Sequence, residues 1–375
     1  MTLFDVYPLF NVSLTKGKGC FVWDDKDTRY LDFYGGHAVI SIGHTNEHYV
    51  QRITAQLEQL AFYSNSVRIP IQEEYATLLG RVSGYDDYHL FLCNSGAEAV
   101  ENALKVASFV NGRKKIIAFK GAFHGRTSGA VAITDNPAIK PPVNDDAHVL
   151  FLNFNDSAAL EKAFAEHDIC AVIIEPIQGV NGIYEPTPAF MKDIQRLCQA
   201  HGAFFIADEI QCGFGRSGQF FAHQLAGVQP DLITMAKGMG NGFPIAGVLI
   251  HPKVAAKYGM LGTTFGGAPL ACAAGLAVLE EIEKHQLIPQ AAALGNYLMD
   301  ECRQLPEVKE VRGKGLMIGV EFNFPIKALR EKLVYEHHIF VGNSSNPNTL
   351  RLLPSLTITK EEIDLFLEAI KKCLA

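Results

Sequence analysis

The sequence predicts an α/β protein with a large, mostly parallel sheet and a smaller α+β part formed from both ends of the chain. Three observations carry that expectation. Apolar runs that read as buried strands alternate with helical patterns through the middle of the chain, as in a sheet covered on both faces. The ends look different, with turn signals between short alternating runs at 16–34 and helical stretches separated by short apolar runs from about 280. At 375 residues the chain is too long for one ordinary core and comfortable for two. The expected division is a large domain over 46–279 and a small one built from 1–45 and 280–375.

The elements follow in order. Residues 16–34, KGKGCFVWDDKDTRYLDFY, place turn signals between short alternating runs and read as a small antiparallel meander. SGAEAVENALKVASFV (95–110) reads as a helix opened by Ser95, with Glu98 three residues on as a capping-box partner. AVIIEP (171–176), FFIADEI (204–210), DLITMA (231–236) and IAGVLI (245–250) read as buried strands. Between the first two, TPAFMKDIQRLCQAHG (187–202) has helical periodicity and a closing glycine. From about 280 come a long helix, GLMIGVEF (315–322), another helical stretch and NTLRLLPSL (348–356). No internal repeat is visible.

Composition excludes several functions. Apolar residues at 48% and charged residues at 19% describe a globular protein. A net charge of −7 argues against a nucleic-acid partner, which calls for a basic field. The opening MTLFDVYPLFNVSLTK lacks the basic leader of a secretory signal, and no apolar run approaches the ~20 residues of a membrane span. Eight cysteines lie far apart with no C-x-x-C pair, which fits buried thiols in a reducing cytoplasm. HTNEH (44–48) has the spacing of a helical metal pair without the zincin order, so no metal site is expected.

The chemistry centres on DLITMAKGMGNGFP (231–244), where an apolar run ends at Lys237 and gives way to glycines and a proline. A lysine there is either a surface residue on a strand–helix turn or an amine that bonds something covalently. Three features surround it. ADEIQ (207–211) places Asp208 and Gln211 at the C-terminal end of a buried strand, where ligands of open α/β sheets bind. A carboxylate there is a helix cap or a counter-ion for a buried cation. NSGAEAVENALK (94–105) opens a helix with small residues, leaving backbone N–H groups free to hold an anion such as phosphate. KGAFHGRTSGA (120–130) sets Phe123 and Arg126 around a glycine, free to reach open space. Together they describe an aldehyde for the lysine, a protonatable ring nitrogen for Asp208, a phosphate for the helix and a flat ring for Phe123. That ligand is pyridoxal 5'-phosphate. One rival motif, GFGRSG (213–218), matches a dinucleotide fingerprint and keeps a nicotinamide oxidoreductase as the alternative chemistry. Its context opposes it: Asp208 and Glu209 would crowd a pyrophosphate, and no acid ends a strand about 20 residues on.

At this point the chain resembles the class III, fold-type-I pyridoxal-phosphate aminotransferases, most closely those acting on acetylornithine. The resemblance covers nearly the whole chain, through NSGAEAVENALK, FHGRT, EPIQG, ADEIQCGFGRSG, AKGMGNGFP, TTFGGAPLACAA, RGKGLMIGVEF and LRLLPSL. It implies that Lys237 forms the imine with the cofactor and shuttles the proton, and that Asp208 partners the ring nitrogen. Gln211 is implied beside the ring hydroxyl, Phe123 on the ring face, and Ser95, Gly96 and Ala97 at the phosphate. Thr264, in GTTFGG beside Thr263, matches a threonine that reaches the phosphate of a partner subunit, implying a homodimer with shared sites; Thr263 is placed with the substrate.

Two arginines carry the substrate inference. The resemblance puts Arg126 on the α-carboxylate of an ω-amino donor and Arg351 on that of glutamate or 2-oxoglutarate. A planar guanidinium binds a carboxylate through two parallel hydrogen bonds. Many relatives read E-P-x-Q-G-E, the last Glu covering the second arginine, whereas this chain has Val180 there. Either another acid, with Glu185 nearest in sequence, covers Arg351, or Arg351 stays open to a donor with an extra carboxylate such as N-succinylornithine. The expected activity is transfer of the ω-amino group of N-acetyl- or N-succinylornithine to 2-oxoglutarate in arginine biosynthesis. Ornithine δ-aminotransferase, 4-aminobutyrate aminotransferase and a glutamate 1-semialdehyde aminomutase are the alternatives within the class. A cofactor-binding sensor is the non-enzymatic one, and no DNA-binding module is expected ahead of the small-domain pattern.

Overall fold

A computed structural model describes residues 1–145 and 147–375. Its strands, in chain order, are β1 (Leu14–Lys18), β2 (Phe21–Asp24), β3 (Arg29–Asp32), β4 (His89–Cys93), β5 (Lys115–Phe119), β6 (Val149–Leu152) and β7 (Ile169–Ile174). They continue with β8 (Phe204–Asp208), β9 (Leu232–Met235), β10 (Ala246–Ile250), β11 (Val308–Lys314), β12 (Met317–Phe322), β13 (Ile339–Phe340) and β14 (Thr349–Leu352).

The central sheet has seven strands in the order β4-β10-β9-β8-β7-β5-β6. Strands β5 to β9 are mutually parallel. Only β10 runs against its neighbours β9 and β4, so β4 points the same way as β9. Every residue of β7 and β8 is buried, which explains why these segments read as continuous apolar runs. Successive side chains feed opposite faces. Ala171, Ile173 and Ile206 join the core under the helix Gly96–Asn111, whereas Val172, Ile174 and Phe205 meet the helix Pro188–His201. That second helix has Thr187 as its N-cap and left-handed Gly202 as its C-cap, in line with the periodicity and closing glycine of the sequence.

Two small sheets complete the fold. The meander β1-β2-β3 takes β13 alongside β3, in parallel, so the two ends of the chain share one sheet. The antiparallel sheet β11-β12-β14 carries Arg351 on β14. The long helix expected from about 280 is two helices, Pro269–Lys284 and Leu287–Cys302. They part at Gln286, which has φ +51° and cannot continue a right-handed helix. The expected domain boundary at 279 falls inside the first of them, which packs on the helices Glu47–Gln59 and Pro70–Ser83 on one side and on Leu287–Cys302 on the other.

The rival motif GFGRSG is a structural joint. A side chain at Gly218 would meet Ala292 at 2.9 Å, and one at Gly215 would meet Ile288 at 3.0 Å, so these glycines let the loop press on the helix Leu287–Cys302. Arg216 is buried there and donates through Nη1 to the carbonyls of Leu316 and Pro354, stitching the loop to one end of the sheet β11-β12-β14. Burial pushes its guanidinium down to about 10, which leaves it charged at neutral pH. Arg216→Leu is expected to strand both carbonyls and lower the unfolding free energy by about 2 kcal/mol or more, read from the denaturant midpoint.

Candidate active site

The C-terminal ends of β4, β5, β7, β8 and β9 all open toward one cleft of about 310 Å³. That common end is where an open parallel sheet gathers loop residues. β4 leads to Asn94, Ser95, Gly96 and Ala97; β5 to Phe123 and His124; β7 to Glu175; β8 ends in Asp208 and is followed by Gln211; β9 leads to Lys237. Five separate segments of sequence thus meet at one place.

Lys237 follows β9 with a backbone φ of +46°, an uncommon conformation for a side-chain-bearing residue. Its amine has no hydrogen-bond or ion-pair partner among the described residues. Burial lowers its pKa; Asp208 and Glu175 oppose that shift, and Arg351 adds to it. The result is an amine more readily deprotonated than a surface lysine.

Asp208 is buried, and both its oxygens are engaged. Oδ1 accepts from the backbone N–H of Ile210 at 3.1 Å, and Oδ2 lies 2.6 Å from Nδ1 of His124. Burial alone would depress the His124 pKa, but its hydrogen bond to Asp208 and the charges of Asp208 and Glu175 outweigh that and raise it. No helix directly follows Asp208, so it is not the helix cap the sequence allowed; it holds a local turn through Ile210 N–H and faces the His124 ring. Glu175 accepts from the backbone N–H of Phe123 at 2.9 Å and of Gly179 at 3.3 Å, clamping the two loops that flank the cleft. Burial pushes its carboxyl up to about 7.

At the helix opening, Ser95 accepts from the Glu98 N–H at 3.2 Å. The reciprocal arm of the expected capping box goes elsewhere: Glu98 accepts from the backbone and side-chain nitrogens of Asn94, at 2.7 and 3.0 Å. Asn94 is thereby fixed beside the free N–H groups of the first turn. Gly96 packs against Ile210, whose side chain lies 3.0 Å from where a Cβ would stand.

The remaining expected residues fall around the cleft. Gln211 donates to the carbonyl of His37 at 3.0 Å, while its buried Oε1 has no partner. Arg351 is buried on β14 and donates through Nε to the Asn343 carbonyl. Arg126 is exposed just beyond Gly125, outside the cleft lining. Thr263 is one hydrogen bond away, accepting from Nδ2 of Asn94 at 3.3 Å. Thr264 is exposed and does not line the cleft of its own chain. Glu185, the acid nearest in sequence to position 180, pairs with Lys314 at 3.7 Å, and no carboxylate among the described residues pairs with Arg351. His44 and His48 of the HTNEH stretch pair with Asp32 and Glu280.

Sequence reasoning missed His124, Tyr34 and His37. His124 stands inside the quoted FHGRT, and its adjacency to Phe123 was the available signal. Tyr34 and His37 carried none, since Tyr34 meets Arg351, and His37 meets Gln211, only across the fold.

These residues fit pyridoxal phosphate. The orphaned Gln211 Oε1 is an acceptor awaiting a hydroxyl, the Asp208 carboxylate awaits a cationic ring nitrogen, Phe123 offers a wall, and the helix Gly96–Asn111 offers unpaired N–H groups to a phosphate. The family model for class-III aminotransferases matches residues 5–374. The chain is a class-III aminotransferase. Members of this class use pyridoxal 5'-phosphate. The chain is 41% identical to the acetylornithine aminotransferase of Archaeoglobus fulgidus, covering 96% of this chain and 95% of that one. It is 38% identical to the [LysW]-aminoadipate semialdehyde/glutamate semialdehyde transaminase of Sulfolobus acidocaldarius, covering 97% and 95%. An ornithine aminotransferase structure from Toxoplasma gondii, reported with partial occupancy of PLP at its active site, superposes with a TM-score of 0.91 at 30% identity, covering 99% of this chain and 91% of that one. No described helix of this aminotransferase is long and apolar enough to cross a membrane.

Proposed function

We propose that this aminotransferase moves the ω-amino group of an N-acylated ornithine to 2-oxoglutarate, serving arginine biosynthesis in the cytoplasm. The exchange leaves the donor carbon as an aldehyde and turns 2-oxoglutarate into glutamate, with the nitrogen passing from one to the other. The observation that carries the substrate choice is Arg351. Its guanidinium is buried, and among the described residues it has no carboxylate partner and Nη1 has no hydrogen-bond partner. A buried cation without a counter-ion is costly, so a substrate carboxylate is its natural complement. The high identity to acetylornithine aminotransferases supports the same donor class.

Pyridoxal phosphate, when bound, supplies an aldehyde for amine exchange and a ring that takes up the electron pair of a broken C–H bond. The rest falls to the protein. The N–H groups of Gly96 and Ala97, with Ser95, would hold the phosphate; Gln211 Oε1 would accept from the ring hydroxyl; Phe123 would cover the ring face. Asp208, braced by His124 and Ile210 N–H, would keep a proton on the ring nitrogen. Lys237 Nζ, with its pKa lowered by burial, would take and return a proton at the carbon bearing the amine. Arg126, exposed after Gly125, and Arg351, buried on β14, would each hold a carboxylate, one for the donor and one for the acceptor. We place Thr264, exposed beside the exposed Phe265, in the cleft of a second copy, so that the working unit is a homodimer.

The absence of an acid on Arg351 favours one variant of this function, a donor whose acyl group ends in a carboxylate, such as N-succinylornithine. The test is a half-reaction series. The yellow holoenzyme is mixed separately with N-acetylornithine, N-succinylornithine, ornithine and 4-aminobutyrate, and loss of its visible absorbance is followed. Conversion of an acylated ornithine at least tenfold faster than the others is expected. Equal or faster conversion of free ornithine or 4-aminobutyrate would overturn the donor assignment.

A further inference from the structure

The segment Gly35–Ala38, just ahead of Val39 in the cleft lining, has a left-handed backbone throughout. All four of its residues have φ between +54° and +67°, two of them with side chains. A Cβ at Gly35 would stand 2.8 Å from the Leu353 carbonyl, so the backbone is pressed against the strand end that carries Arg351. The distortion has a result. It brings the His37 ring onto the hydroxyl of Tyr34 and the His37 carbonyl onto the Gln211 amide at 3.0 Å. Tyr34 in turn lies over Gly342, where any Cβ would be only 2.5 Å from its ring.

Tyr34 faces Arg351. Nη2 of Arg351 is 3.4 Å from the Tyr34 hydroxyl, and the guanidinium carbon stands 5.8 Å from the ring centroid, within reach of a cation–π attraction. With its proton on Nδ1, neutral His37 donates to the Tyr34 oxygen, whose other lone pair faces Arg351, so the Tyr34 O–H is left for a substrate. His37 is held neutral: desolvation, with the cations Arg351 and Lys237, keeps its pKa down at about 4. Arg330 also acts on Tyr34; among the described residues it pairs with no carboxylate and donates to the Val341 carbonyl. The two groups that touch the Arg351 guanidinium, the Tyr34 phenol and the Asn343 carbonyl, are both uncharged. An acid in this place would neutralise the guanidinium and compete with substrate, whereas a phenol does neither.

We propose that Tyr34 is a specificity-determining residue of the transamination, an uncharged cover that keeps Arg351 open and turns its hydroxyl to the incoming substrate carboxylate, with His37 as the positioning residue that aims it. This rests on the assignment of Arg351 to the acceptor carboxylate. On arrival, a carboxylate takes Nη1 and Nη2 of Arg351, the first unpartnered and the second held only at 3.4 Å, and receives the Tyr34 O–H as a third hydrogen bond.

The test separates the two half-reactions of the holoenzyme by rapid mixing, with 2-oxoglutarate as the acceptor and N-acetylornithine, whose acyl group carries no carboxylate, as the donor. Tyr34→Phe keeps the ring and removes only the hydroxyl. The expected result is a rise of about tenfold in the apparent dissociation constant for 2-oxoglutarate, the size of one hydrogen bond to a charged group, with a much smaller change in its limiting rate. His37→Phe is expected to move the same constant in the same direction. Arg351→Lys is measured alongside. If Arg351→Lys weakens 2-oxoglutarate and Tyr34→Phe leaves its constant within twofold, the role of Tyr34 is refuted while that of Arg351 stands. If Tyr34→Phe slows donor and acceptor half-reactions equally, Tyr34 is only structural. If Arg351→Lys leaves 2-oxoglutarate binding unchanged, both assignments fall.

Discussion

Lys237→Ala is expected to lower the turnover of N-acylornithine with 2-oxoglutarate by about 10⁴-fold, the upper range for loss of a positioned proton-transfer group. The expectation follows from geometry more than from residue type. The amine has no partner among the described residues, stands at the end of β9 beside the Asp208 carboxylate, and is discharged more easily than a surface lysine because burial disfavours its ammonium form. Alanine keeps the Cβ and hence the unusual backbone of φ +46°, so the loss reports the amine and not a relaxed loop. Lys237→Arg is the sharper control. It preserves positive charge in the cleft but supplies a guanidinium that does not deprotonate near neutrality. Both variants are expected to be inactive, and a small primary amine added to the solution is expected to restore part of the activity to the alanine variant alone. Activity above a hundredth of the native rate in Lys237→Ala would remove Lys237 from the proton-transfer role.

The fold and the cofactor cleft were legible for one physical reason. In a parallel sheet the ligand-facing residues sit at strand ends, and strand ends are marked in sequence by the switch from an apolar run to polar or small residues. Asp208 after FFIA and Lys237 after LITMA carry that mark. So does Ser95 at the opening of a periodic helix, although the reciprocal capping arm slipped by one residue to Asn94, which periodicity does not resolve. What escaped was everything settled by packing between distant segments. Tyr34 reaches Arg351 across 317 residues of sequence, and the break at Gln286 depends on how two helices fit the core. Val180 raised the question of what covers Arg351, and Glu185 was the nearest acid in sequence. The structure assigns Glu185 to Lys314, because proximity along the chain does not decide proximity across a cleft.

Asp208→Asn is expected to cost about 10²- to 10³-fold in turnover, in the range found when one preorganised electrostatic partner of a reacting group is removed. The substitution is nearly isosteric and retains an oxygen for the Ile210 N–H, so the β8 end should hold its shape. What disappears is the charge that would keep a proton on the cofactor ring. The same change has a signature that does not depend on turnover. In the native protein His124 is buried yet carries a raised pKa, since its hydrogen bond to Asp208 and the nearby carboxylates prevail over desolvation. A histidine whose folded pKa lies above its unfolded value of about 6.5 contributes stability that is fully present below that value and is lost as pH rises through the folded one. With asparagine at position 208 desolvation prevails, and that contribution vanishes. The stability difference between native and variant cofactor-free protein is therefore expected to be largest below pH 6.5 and to shrink as the solution becomes alkaline, read from denaturant midpoints across the range. A difference that stays constant with pH would show that Asp208 does not hold a proton on His124, and the ring-nitrogen role would then rest on Asp208 alone.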